Sequence, residues 1–182
     1  MTIPLPRPQP GPHGDFQFPP DDVMTEVDAN VVSGTLAPYR THTRYLQSVS
    51  VGAHRSSVFA IGSFSIAESC YIDSTGHFNA AEFIMCANQI GYVCIGEALR
   101  RGLVDFEGFD LAWFKEKQLS SVLILKADTS FRKVINPRSF VGCCEWHSMR
   151  MKRGLLISVQ AFRFMDDDHG LATGEYLVAF RL

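Results

Sequence analysis

The chain has 182 residues, room for one domain with a tail, and its 46% hydrophobic share and 14 Phe are ample for a real core. Lys and Arg number 17 against 19 Asp and Glu, a formal net charge of −2 with no basic block, which argues against nucleic acid as a partner. No run is apolar for long enough to span a bilayer, and the opening residues lack the apolar centre of a signal peptide, so no membrane partner is expected.

Seven of the nine prolines fall within the first 20 residues. Such a segment cannot form a helix or a central strand, and residues 1–21 are expected to be a disordered proline-rich arm ahead of a single domain over 22–182. A short helix is expected at about 22–37, ending before Pro38. Residues 42–51 and 56–66 alternate as strands, with GAHR at 52–55 as their hairpin turn. After an irregular Ser- and Gly-rich stretch, a long apolar helix is expected at about 79–101, stopping near Gly102. Residues 103–117, with Phe106, Phe109, Trp113 and Phe114 among charges, read as an irregular flap or short helix. Four further strands are expected at 120–132, 139–149, 154–165 and 171–181, with DDDHG at 166–170 as the last turn. A single helix that is apolar nearly all round must be surrounded, so the fold class is α+β, an antiparallel sheet wrapped about one helix.

The stretch TGHFNAAEFIMCANQIGY at 75–92 concentrates the chemistry. Asn79 with Glu82 three residues on is a capping box, and a helix start offers backbone N–H groups to an anion or a carbonyl gaining charge. The pair is also simply a cap, and His77 two residues before it is either a surface residue or a catalyst. Asn88 shares a helix face with Ile84, Gly91, Tyr92 and Ile95, where a buried amide needs partners. Lys126 interrupts VLILKADTSF. In a regular strand it shares a face with Val122, Ile124, Asp128, Ser130 and Arg132, which is either solvated or part of a pocket for a carboxylate or phosphate. Cys143-Cys144-x-x-His147 has no second ligand pair at zinc-like spacing, so no metal site is expected. Five cysteines form no disulfide framework and suit a reducing cytoplasm.

GSFSIAESCYIDS, TGHFNAAEFIMCANQIGY and QLSSVLILKADTSFRKVINPRSF together resemble the FcoT-like acyl thioesterases of mycobacteria and streptomycetes, strongly over about 37–141. The resemblance implies a hotdog fold, usually a homo-oligomer. It implies acyl-thioester chemistry with no cofactor: addition of glycine to an enoyl thioester on an acyl carrier protein, giving a 3-[(carboxymethyl)amino] fatty acid for isonitrile biosynthesis. Hydrolysis of fatty acyl-CoA is the alternative, and non-enzymatic acyl-thioester binding the remote third. It also carries over Tyr39, Tyr71, His77, Asn79, Asn88, Lys126, Phe131, Arg132 and Lys133 as site positions, with Glu82 beside them. In that reading His77, Asn79 and Tyr71 are catalytic, Lys126 holds the glycine carboxylate, and Arg132 with Lys133 holds a carrier or nucleotide phosphate.

Overall fold

Asn79 sets the start of the central helix. Its side chain accepts from the N–H groups of Ala81 and Glu82, and the Glu82 carboxylate returns a bond to Asn79 N, so the capping box is complete. The helix α2 then runs over Ala80–Arg100. A computed structural model describes residues 18–182, so residues 1–17 of the expected arm lie outside the described residues. Of the remainder, Pro19 is buried and Asp21–Val23 form a 3₁₀ turn.

The helix expected at about 22–37 is shorter. Residues Thr25–Glu26 form β1, held extended by pairing Thr25 with Val51 and Glu26 with Ser50. Asp28 then caps Asn30 N at 2.8 Å, and α1 spans Ala29–Thr35. The first hairpin also corrects the sequence reading. Strands β2 (Leu46–His54) and β3 (Ser57–Phe64) pair through to His54 and Ser57, leaving a two-residue turn at Arg55 and Ser56. Arg55 takes the positive φ of 55° that such a tight turn requires. Gly52, expected in the turn, lies within the strand instead, and a Cβ there would collide with the carbonyl oxygen of Val23.

The expected flap becomes α3, Leu111–Ser121, capped by Asp110 through Trp113 N. It leads directly into β4 (Val122–Lys133), followed by β5 (Phe140–Lys152), β6 (Leu155–Met165) and β7 (Leu171–Arg181). All pairings are antiparallel, and the sheet runs β1-β2-β3-β5-β6-β7-β4. Strand β4 therefore follows the helix in sequence but closes the far edge of the sheet.

The sheet wraps α2, as expected for a hotdog fold. Phe83, Cys86, Ala87, Ile90, Val93, Cys94 and Ala98 are buried against it, and Phe83 meets Phe164 edge-on at 4.9 Å. Gln89 is wholly buried as well. Its Oε1 accepts from Tyr45 N and Leu46 N, and its Nε2 donates to the Thr43 carbonyl, so it pins the start of β2 to the helix. The face with Asn88 is the exception. Ile84 is 45% exposed and Asn88 half-buried, because this side of α2 faces the gap beside β4 rather than the close-packed sheet.

Strand β4 also departs from regular alternation. The register skips Leu125 between Ile124 and Lys126, and skips Arg132 between Phe131 and Lys133. Each extra residue reverses the phase of the side chains that follow. Lys126 pairs with Leu177 and Ala127 with Tyr176, while Tyr176 and Val178 are the residues buried toward α2. Lys126 and Asp128 consequently face away from the helix, and the expectation that Lys126 shares a face with Val122 and Ile124 is overturned.

Candidate active site

The turn before α2 is tied down by short-range bonds. Gly76 N donates to Ser74 Oγ, Thr75 Oγ1 donates to the His77 carbonyl at 2.7 Å, and Asn79 Nδ2 donates to Thr75 Oγ1. Gly76 has φ +74°, the left-handed conformation glycine tolerates best. His77 projects into solvent from this turn with its Nδ1 3.0 Å from the Thr75 carbonyl oxygen. A carbonyl can only accept, so Nδ1 carries a proton, and in a neutral ring this leaves the lone pair on Nε2. That is the tautomer a general base needs.

His77, Phe78, Asn79 and Ala80 form one wall of a cavity of about 430 Å³, and Phe131 through Ile135 form the other. Phe131 is held there by aromatic contacts to Phe78 and Phe83, with centroids at 6.4 and 5.8 Å. The second bulge of β4 sets Arg132 beside this cavity, where among the described residues no carboxylate pairs with it. Lys133 Nζ donates to the Asp168 carbonyl at 2.6 Å. The Asn79 cap uses the N–H groups of Ala81 and Glu82, and Phe83 N donates to the Asn79 carbonyl. Ala80, whose N–H is the remaining first-turn donor, lines the cavity. Five predicted residues, His77, Asn79, Phe131, Arg132 and Lys133, thus meet at one pocket although some fifty positions separate the two groups.

The other predicted positions lie elsewhere. Glu82 is 2% exposed and its carboxylate is bound in the cap, so it lines neither cavity described here. Tyr71 is 60% exposed and stands outside both. Tyr39 is half-buried against the core, where burial and the neighbouring Tyr92 and Cys86 raise its phenol pKa, so it can offer an O–H but not a phenolate. Lys126 is solvent-exposed and already paired with Asp128 at 2.5 Å, which raises its pKa through that bond and charge. Of the two readings open for Lys126, the structure shows the solvated one, because the bulge at Leu125 turned the side chain outward. All five cysteines are free, and no cluster of metal-ligating side chains occurs among the described residues.

Asn88 lines a second cavity, of about 240 Å³, further along α2. Gln160 lies in it too, and the sequence reading missed this residue. Its signal was present in LLISVQAFRF, where the even positions form an apolar face interrupted by Ser158 and Gln160.

Residues 34–180 match the model of the FcoT-like thioesterase domain. The chain belongs to the FcoT-like thioesterase family. Among relatives of this FcoT-like chain is a (2E)-enoyl-[ACP] glycyltransferase of Streptomyces coeruleorubidus, 36% identical over 159 residues, covering 84% of this chain and 96% of the relative. A protein of the same name from Mycobacterium tuberculosis is 36% identical over 154 residues, covering 82% of this chain and 84% of that one. Among solved structures, a candidate thioesterase of Shewanella oneidensis superposes with a TM-score of 0.50 at 9% identity, covering 83% of this chain and 95% of the other. That likeness shows the fold. The FcoT-like match spans both walls of the His77 pocket.

Proposed function

We propose that this protein adds glycine to the β-carbon of an enoyl thioester carried on an acyl carrier protein. The relatives' shared description supports the reaction class. The observation that carries the reading to particular atoms is the pocket that gathers the His77 imidazole, the first turn of α2 at Ala80 and the Arg132 guanidinium, which has no carboxylate partner among the described residues.

In this reading the Arg132 guanidinium holds the glycine carboxylate, a role its planar donor fork suits. His77 Nε2 takes a proton from the glycine ammonium. The freed amine attacks C3 of the enoyl group, a C–N bond forms, and the displaced π pair moves to the thioester oxygen. Ala80 N–H, at the positive end of the helix dipole, stabilises that enolate; one well-aimed donor of this kind is worth roughly 3–4 kcal/mol. Protonation at C2 completes a 3-[(carboxymethyl)amino]acyl thioester, so atoms balance without oxidant or cofactor. Lys133 at the pocket rim suits the phosphate of the carrier's prosthetic arm. Hydrolysis would use the same His77 and N–H with water as nucleophile, but water needs no cation, and the unpaired Arg132 favours glycine.

The test is incubation with crotonyl-carrier protein, with and without glycine, reading product masses. A glycine adduct on the carrier is expected only when glycine is present; free crotonate alone identifies a thioesterase, and unchanged substrate a binding protein. Arg132→Ala should raise the glycine KM about tenfold or more, as loss of a charge-assisted pair implies, whereas Lys126→Ala should leave it unchanged.

The active form in this reading is a homo-oligomer. Strand β4 is a sheet edge, and Leu123, Ile124 and Leu125 along it are 41–53% exposed, with Leu119 at the end of α3 beside them at 64%. A long apolar edge of this kind is normally covered. Light scattering should give a mass of at least two chains, and a strictly monomeric mass at working concentration would remove the pairing.

A further inference from the structure

The buried amide nitrogen of Gln160 has no hydrogen-bond partner among the described residues. The face of β6 toward α2 carries Leu156, Ser158, Gln160, Phe162 and Phe164, and its other polar member is accounted for, since Ser158 Oγ accepts from Trp146 Nε1 at 2.8 Å. Gln160 is 5% exposed, and its Nε2 has no hydrogen-bond partner. The amide rests against the helix at Gly91, where a Cβ would stand 3.1 Å from Gln160 Oε1 and 3.4 Å from Nε2. Gln160, Gly91 and Asn88 together line the 240 Å³ cavity, whose remaining walls include Ile95, Ile124 and Val178. No cation lines it, in contrast to the His77 pocket. The cavity therefore offers neutral amide donors amid apolar walls, a place for water or an apolar chain but not for a phosphate.

We propose that Gln160 is a specificity-determining residue that disfavours long unbranched acyl chains. This rests on the acyl-thioester reading above. Asn88 lies nine residues, about 13 Å, along α2 from Asn79. A short acyl group held at the helix start ends before the second cavity and leaves room there for a water on the amide. A long saturated tail running along the helix enters it and replaces that water with methylene groups. The buried Nε2–H is then left without an acceptor, which corresponds to roughly 5- to 100-fold in affinity.

Gln160→Met keeps the length of the side chain and removes its amide. Wild type and Q160M would be compared on crotonyl- and 2-dodecenoyl-carrier protein at saturating glycine, and by calorimetric titration with dodecanoate. The ratio of kcat/KM for dodecenoyl over crotonyl should rise roughly 5- to 100-fold in Q160M, with dodecanoate bound tighter by a similar factor. Gly91→Ala, which crowds the amide from the other side, should lower the same ratio. An unchanged ratio and equal dodecanoate affinity in folded Q160M would overturn the proposal. If neither protein turns over any thioester, the functional reading fails, and the dodecanoate titration alone decides the role of Gln160. A gain in melting temperature without a change in chain-length selection would mark Gln160 as structural and overturn it too.

Discussion

His77→Ala is expected to slow glycine addition by roughly 10²- to 10⁴-fold, the usual share of a positioned general base, with the fold unaltered. The fold should survive because the side chain is exposed and contributes one bond, from Nδ1 to the Thr75 carbonyl. The chemistry should not, because glycine enters as an ammonium and among the described residues no other imidazole lines the pocket. The loss should fall on kcat more than on the glycine KM, since in the proposed reading Arg132, not His77, holds the carboxylate. Circular dichroism and steady-state rates on the purified variant decide it: a folded His77→Ala protein with near-normal turnover ends the assignment.

The Arg132 and Lys126 comparison separates two ways a cation can look functional. From sequence both are charges in an apolar strand. In the structure one stands beside the pocket with no carboxylate partner among the described residues, and the other sits on the outer face with a carboxylate of its own. An exposed ion pair is worth little, so Lys126 has neither a structural debt nor a ligand to explain it.

Much of the architecture was legible because it rests on local rules. The Asn79–Glu82 box fixed the helix start, and DDDHG set the last turn through Asp166, which accepts from both Gly170 N and Asn136 N. Strands β6 and β7 fall within a residue of their alternation pattern. The failures share one cause: positions set by tertiary pairing. Alternation cannot reveal an inserted residue, so the two bulges of β4 and the outward turn of Lys126 were invisible. Helical periodicity shows which positions share a face but not which face the sheet leaves uncovered, so Asn88 reads as the buried amide although the fully buried one is its neighbour Gln89. The meeting of His77 with Arg132 came from the family resemblance; the residues alone gave two unconnected polar positions.

Gln89→Leu should be the most damaging substitution in the core. It removes three hydrogen bonds at once: Tyr45 N and Leu46 N lose their acceptor, at 2.9 and 3.1 Å, and the Thr43 carbonyl loses its donor, at 2.6 Å. Gln89 is 0% exposed, and Tyr45 and Leu46 are buried, so water cannot replace the missing partner without a rearrangement. Each buried polar group left unmet costs about 1–3 kcal/mol, and three neighbours sharing one side chain should cost roughly 3–5 kcal/mol together. For a chain of this size that is a fall of roughly 6–20 °C in melting temperature. Gln89→Glu tests the same cluster through pH. An ionised carboxylate would still accept from both N–H groups but would face the Thr43 carbonyl with no proton to give. Burial raises the pKa of a carboxyl in the folded state, so the neutral form is favoured there. A raised folded pKa means stability present at low pH and lost as pH rises through that value, so this variant should become more stable on acidification while wild type does not gain in step. Thermal melts of both variants at two pH values check it. A Gln89→Leu protein melting within a few degrees of wild type would show that β2 holds its place without the helix amide.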